Sequence, residues 1–158
     1  MSIAIELARR ILAFRYDDLP EAAITWAKIG ILDTVGVTLA GAGEECVGIV
    51  KRVQGVGDGT TGTTGTTGPC LIFGGGRASA LDAVLINGTA SHALDFDDFA
   101  ISIGGHPSVP LVPAIIALGE MTGGSKSVGG RDAITAYVAG FETESRIAHG
   151  VNFHHYEK

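Results

Sequence analysis

The chain has 158 residues, enough for one domain with a real core, and 46% of them are hydrophobic against only 18% charged. A formal net charge of −6 argues against a nucleic-acid partner, since phosphate binding needs clustered Lys and Arg. A mean hydropathy of +0.32 is more apolar than a small soluble monomer usually tolerates, so a partner or the rest of a larger fold is expected to cover part of this surface.

In chain order, Ile3, Leu7, Ile11 and Phe14 recur at three- and four-residue steps and predict a first amphipathic helix. Its Arg9 and Arg10 precede no apolar leader or cleavage site, so it does not read as a secretory signal. Asp17-Asp18-Leu19-Pro20-Glu21 is a strong helix start, because Pro suits the first turn and acids suit the positive end of the helix dipole. The second helix is expected to bury Ile24, Ala27, Ile31, Val35 and Leu39 and to end at Gly41-Ala42-Gly43. A short third helix spans about Glu45 to Arg52. Gly55 to Gly68, with three Gly-Thr-Thr units, reads as a mobile surface loop. Pro69 to Phe73 is a single strand or extended segment, and Gly74-Gly75-Gly76-Arg77 is a turn without a nucleotide-binding fingerprint.

Ser79, with Asp82 three residues on, predicts the start of a further helix whose buried face is Leu81, Val84, Leu85 and Gly88. A helix from about Ser108 to Met121 carries Pro113, which is tolerable only in its first turn. Gly123-Gly124 and Gly129-Gly130 bracket a loop, and Arg131 to His149 forms a last helix anchored by Ile134, Val138, Phe141 and Ile147. The fold class is mainly α. No window reaches the roughly 18 apolar residues of a membrane span. Cys46 and Cys70 lack C-x-x-C spacing, so a reduced, cytoplasmic protein is expected.

The chemistry concentrates in His92-Ala-Leu-Asp95-Phe-Asp97-Asp98 and in His106-Pro107-Ser108, which place three carboxylates and two imidazoles within 15 residues. Burying such groups is costly unless they are paired or used. If the preceding helix continues, at about 100° per residue His92 and Asp95 point inward with the core face and Asp97 points nearly opposite. His106 would then stand just before a helix N-terminus that attracts anions. Three readings stay open on spacing alone. Asp97 and Asp98 could cap or solvate a helix end, with His92 a core histidine. The cluster could do general acid–base work on a proton next to a carboxylate. His92, Asp95, Asp98 and His106 could also hold a metal, although no tight ligand motif supports one. His149, His154 and His155 read as a polar helix end.

Several blocks resemble the MmgE/PrpD family. These are Leu19-Pro20 leading into Ile31-Leu32-Asp33-Thr34-Val35-Gly36, the run Asn87-Gly-Thr-Ala-Ser-His92-Ala-Leu-Asp95-Phe-Asp97-Asp98, and Gly105-His106-Pro107-Ser108. The terminal His154-His155-Tyr156-Glu157-Lys158 resembles the family stretch that runs into Gly-Trp-His-Pro. The resemblance covers essentially the whole chain. It implies the N-terminal helical portion (1–158) of a lyase or epimerase acting on small polycarboxylates, with the smaller α+β domain absent. It also implies a homodimer that works without an iron–sulfur cluster. No other cofactor, metal, nucleic-acid or membrane partner is expected.

Residue by residue, the resemblance implies a catalytic role for His106, an acid–base or orienting role for Asp95, and substrate-binding positions at Asp98 and Ser108. Phe99 stands where the family commonly has Thr or another polar group, which removes a hydroxyl from the site. The family's second histidine, lysine and later tyrosine fall beyond position 158. Dehydration of a 2-methylcitrate-like hydroxy acid is the leading expectation, with the isolated chain inactive. The rivals are decarboxylation of cis-aconitate, epimerisation of an amino-dicarboxylate, and a non-catalytic helical fragment that pairs with a partner.

Overall fold

In the computed structural model, residues 2–57, 67–122 and 128–151 are described. Among the described residues six α-helices follow one another: α1 (Ile3–Ala13), α2 (Glu21–Gly41), α3 (Glu45–Val53), α4 (Ala80–His92), α5 (Ser108–Thr122) and α6 (Gly130–Gly150). Ser2 caps α1 through its hydroxyl, Pro20 and Glu21 open α2, and the Asp132 carboxylate accepts the Gly129 N–H at the start of α6. Between α3 and α4, β1 (Cys70–Leu71) pairs antiparallel with β2 (Arg77–Ala78), in register Cys70 to Ala78 and Leu71 to Arg77. The fold is mainly α, as the sequence predicts.

Two apolar clusters hold the helices together. In the first, Val47 of α3, Ala83, Ile86 and Ala90 of α4, and Ala117 of α5 enclose Cys70, Ile72 and Ala78 of the hairpin. In the second, Ala27 of α2, Val112 of α5, and Ile134 and Tyr137 of α6 meet, with Ile24, Ile31, Val35, Val138 and Phe141 around them. Helix α4 touches α2, α3 and α5 at once. The buried threonines of α2 satisfy themselves locally, Thr34 donating to the Gly30 carbonyl at 2.7 Å and Thr38 to that of Thr34.

Several expectations need correction. The buried face of α4 is Ala83, Ile86, Asn87, Ala90 and Ser91, whereas Leu81 is 83% exposed. Small residues go inward because α2 crosses so closely that a Cβ on Gly41 would strike the Ala90 carbonyl. Leu39 and Ile147 are likewise exposed, not core anchors. Segment 69–73 is not a lone strand. It folds back through Gly74, Gly75 and Gly76, all at positive φ, and Asn87 braces the hairpin by accepting from Phe73 N–H and donating to the Leu71 carbonyl, each at 2.9 Å.

Pro113 lies inside α5 rather than in its first turn, so the Val109 carbonyl lacks its usual helical donor. Finally, α2 does meet the length and composition of a membrane span, with mean hydropathy 1.3 in its 18-residue window. Its contacts with α4, α5 and α6, and its buried threonines, are also those of a core helix. The Gly/Thr loop, at residues 58–66, and His154 to Lys158 lie outside the described residues, as does Gly123-Gly124. Both cysteines are free thiols, Cys46 exposed and Cys70 buried.

Candidate functional site

Helix α4 ends at His92 instead of continuing. The chain turns there, with Asp95 N–H donating to the His92 carbonyl at 3.1 Å and Asp95 in the left-handed region at φ 54°. A tight loop follows, in which Ala100 N–H donates to the Gly105 carbonyl at 2.9 Å and Gly104 takes φ 69°. That loop folds the chain back and sets the His106 ring 4.6 Å from the His92 ring. Pro107 is buried beyond it, and α5 starts at Ser108.

The turn reverses the expected inside and outside. Asp95 is exposed, while the Asp97 side chain is fully buried between the two imidazoles. Its carboxylate lies 2.9 and 3.1 Å from His92 Nδ1 and 2.8 Å from His106 Nδ1. The second contact has ion-pair distance but is out of line for a hydrogen bond, so the His106 Nδ1 is buried without a directed acceptor. The ring edges remain reachable, with His92 51% and His106 30% exposed. The exposed Phe99 ring stands edge-on to His106 at 5.5 Å.

Asp98 turns the other way. Its two oxygens accept the Ser108 N–H at 3.1 Å and the Ser108 hydroxyl at 2.6 Å, so a carboxylate of the chain itself already occupies the anion-attracting start of α5. Because the Ser108 hydroxyl donates to Asp98, it accepts from the Tyr137 hydroxyl 2.6 Å away. Burial, more than the nearby Asp98, Glu144 and Asp33 charges, pushes the Tyr137 hydroxyl up, and the Ser108 bond offsets part of this. Burial and then the Asp98 charge push the Glu144 carboxyl up to about 7. Sequence reasoning missed Tyr137 and Glu144. Tyr137 shares its helix face with Ile134, Val138 and Phe141, and that periodicity could have flagged it as a hydroxyl in the core.

His92, Asp95, Asp97 and His106 thus come together, and Asp98 and Ser108 form an adjoining network. Asp97 replaces Asp98 in the set that could hold a metal, with the four ligand atoms within 4.8 Å of one another. Ligands of a tetrahedral zinc stand roughly 3.3 Å apart, given about 2.0–2.1 Å bonds. The 2.8 and 2.9 Å contacts of the two Nδ1 atoms with Asp97 are shorter, so in this arrangement the nitrogens and the carboxylate stand at ion-pair spacing. A groove of about 570 Å³ lies on the far side of Asp98, lined by Trp26, Gly30, Asp33, Tyr137 and Phe141. It includes neither imidazole, so reactive groups rather than volume mark the site.

Residues 5–158 match the MmgE/PrpD N-terminal domain. The chain is 28% identical to the cis-aconitate decarboxylase of Mus musculus over 148 residues, which is 94% of this chain and 29% of that protein. It is equally similar to the Homo sapiens enzyme of that name, covering 30% of it. Against the Aspergillus terreus cis-aconitate decarboxylase it is 28% identical over 137 residues, 85% of this chain and 26% of that protein. The chain therefore spans less than a third of these relatives. With its helical architecture and its match over nearly the whole length, the chain belongs to the MmgE/PrpD family, as its N-terminal domain.

Proposed function

We propose that this domain supplies the proton-handling groups of a lyase that acts on a small polycarboxylate. The observation that carries the reading is the pair of reachable imidazoles set on one buried carboxylate. His106 exchanges a proton with the substrate carbon next to a carboxylate, and Asp95 at the rim orients the substrate or assists the transfer. Asp98 and Ser108 bind substrate only indirectly in this reading, by fixing the start of α5 beside His106.

Within that class, the relatives' names favour decarboxylation of cis-aconitate. There the carbon–carbon bond to the leaving carboxylate breaks, CO2 departs, and the electron pair left on carbon takes a proton from an imidazolium. A second observation favours dehydration of a 2-methylcitrate-like acid: two adjacent imidazoles offer a base for the α-proton and an acid for the departing hydroxyl.

The domain alone is proposed to be inactive. A polycarboxylate needs several cations to hold it. Among the described residues, the ion pairs of Arg10, Arg77, Arg131 and Arg146 all lie away from the cluster. Those cations, and a homodimeric assembly, are assigned to a complete polypeptide of the relatives' length. Expression from the complete gene, followed by assay with cis-aconitate and with 2-methylcitrate, tests the proposal. CO2 release or loss of water identifies the reaction. His106→Ala is expected to lower kcat/KM by about 10²–10⁴. Turnover of neither substrate would overturn the reading.

A further inference from the structure

Asp97 was not expected at the centre of this site, and its geometry fixes more than one partner. We propose that Asp97 is a positioning residue that holds both His92 and His106 in the same Nδ1–H tautomer, leaving both Nε2 atoms as the proton-accepting nitrogens. This rests on the proton-transfer role given above to His106.

The argument starts from the two oxygens. A buried carboxylate is an acceptor only, and Nδ1 of each ring lies 2.8–2.9 Å from one of its oxygens. At His92, where the contact is in line, a lone pair on Nδ1 would face oxygen lone pairs at that distance, which is repulsive, so Nδ1 carries the hydrogen. For His106 the contact is out of line for a directed bond, and the preference there is one of charge: a carboxylate oxygen at 2.8 Å favours the positive N–H over the negative lone pair on Nδ1. With the hydrogen fixed on Nδ1, the lone pair of each neutral ring is on Nε2. Nothing else described competes for the role. Asp95 is exposed in the turn, and both Asp98 oxygens are taken by Ser108. The backbone explains the arrangement: the end of α4 at His92 and the left-handed Asp95 drop Asp97 into the space between the rings. The consequence for the reaction is two proton-accepting nitrogens on neighbouring rings, either of which donates only after it has taken up a proton and become an imidazolium.

The experiment is long-range 1H–15N correlation spectroscopy of the 15N-labelled 158-residue chain at about pH 8.5, where ordinary imidazoles are neutral. His92→Gln and His106→Gln assign the signals by deletion. The wild-type chain is expected to show the Nδ1–H pattern for both rings, and an Nε2–H pattern at either ring overturns the proposal. Asp97→Asn sharpens the test, because a carboxamide has one acceptor oxygen and one donor nitrogen. It can satisfy only one Nδ1–H, so one of the two rings is expected to switch to Nε2–H, and retention of Nδ1–H by both overturns the proposal. In His92→Gln, His106 is expected to keep Nδ1–H. A switch there would mean that the neighbouring ring, not Asp97, sets the tautomer. In the complete enzyme, Asp97→Asn is expected to lower kcat by about 10² or more with KM little changed. The tautomers are read without substrate, so a protein with the expected spectra but no lyase activity separates failure of the functional reading from failure of this one.

Discussion

Glu144 shows what single acids contribute to this fold. Its carboxyl sits at about 7 because burial and then the Asp98 charge disfavour the anion, against about 4.5 for an ordinary glutamate. The folded state therefore holds this proton more tightly than the unfolded chain. The resulting stability is fully present below about pH 4.5, is lost as pH rises through about 7, and is flat beyond. The group is well short of fully buried, so screening reduces the effect to about 1–2 kcal/mol. Glu144→Gln is expected to gain that much relative to wild type between pH 5 and pH 8, read from urea midpoints. Parallel pH profiles for the two proteins would contradict it.

Ser108 offers a second residue-scale test. Ser108→Ala leaves the buried Tyr137 hydroxyl without its acceptor and costs about 1–3 kcal/mol, whereas Tyr137→Phe strands no buried group and costs about 1 kcal/mol or less. Urea denaturation of the two variants ranks them, and a larger loss for Tyr137→Phe would contradict the donor assignment. At this scale the sequence brings out the titratable cluster but not that Asp97, rather than Asp95, stands buried between the two rings. The residue types in His92 to Ser108 announce titratable chemistry, but choosing between Asp95 and Asp97 required knowing that α4 stops at His92.

Helix α4 carries the same lesson for packing. Its pattern offers two plausible inner faces, one with Leu81 and Leu85 and one with Ala83, Ile86, Ala90 and Ser91. Hydrophobicity favours the leucines, whereas the close crossing by α2 selects the small residues. Helix limits were legible from Pro20, Glu21, Ser79 and Gly41, because caps and breakers are local chemistry. The second strand and the Asn87 brace were not, since both depend on partners distant in sequence.

The crossing itself predicts a contrast between two glycines of α2. Gly41→Ala must push against the Ala90 backbone carbonyl and is expected to cost about 1–3 kcal/mol. Gly36→Ala meets open space within the same helix and is expected to stabilise by about 0.5–1 kcal/mol. Thermal melts followed by circular dichroism should move in opposite directions for the two variants. Equal shifts would mean that α2 and α4 are farther apart than described.

At the scale of the whole molecule, the unusual apolar content becomes a surface. On the outer side of α2, Trp26 is 69% exposed and Leu32 73%, with Ile29 and Leu39 about half exposed, and the groove beside Phe141 continues it. Contiguous apolar area of this kind on a domain that is less than a third of its relatives' length is surface awaiting cover. In the isolated domain the nearest available cover is a second copy, so concentration-dependent association is expected. Trp26 is the only tryptophan, which makes it a built-in reporter of that face. As protein concentration rises, its emission should shift to the blue and its quenching by acrylamide should fall, in step with a rising mass in sedimentation velocity. Leu32→Glu places a charge in the stripe without touching the Asp97 cluster and should hold the chain monomeric with Trp26 quenchable throughout. A wild-type chain that stays monomeric at every concentration would mean that the face tolerates water. The apolar composition would then need another explanation than missing cover.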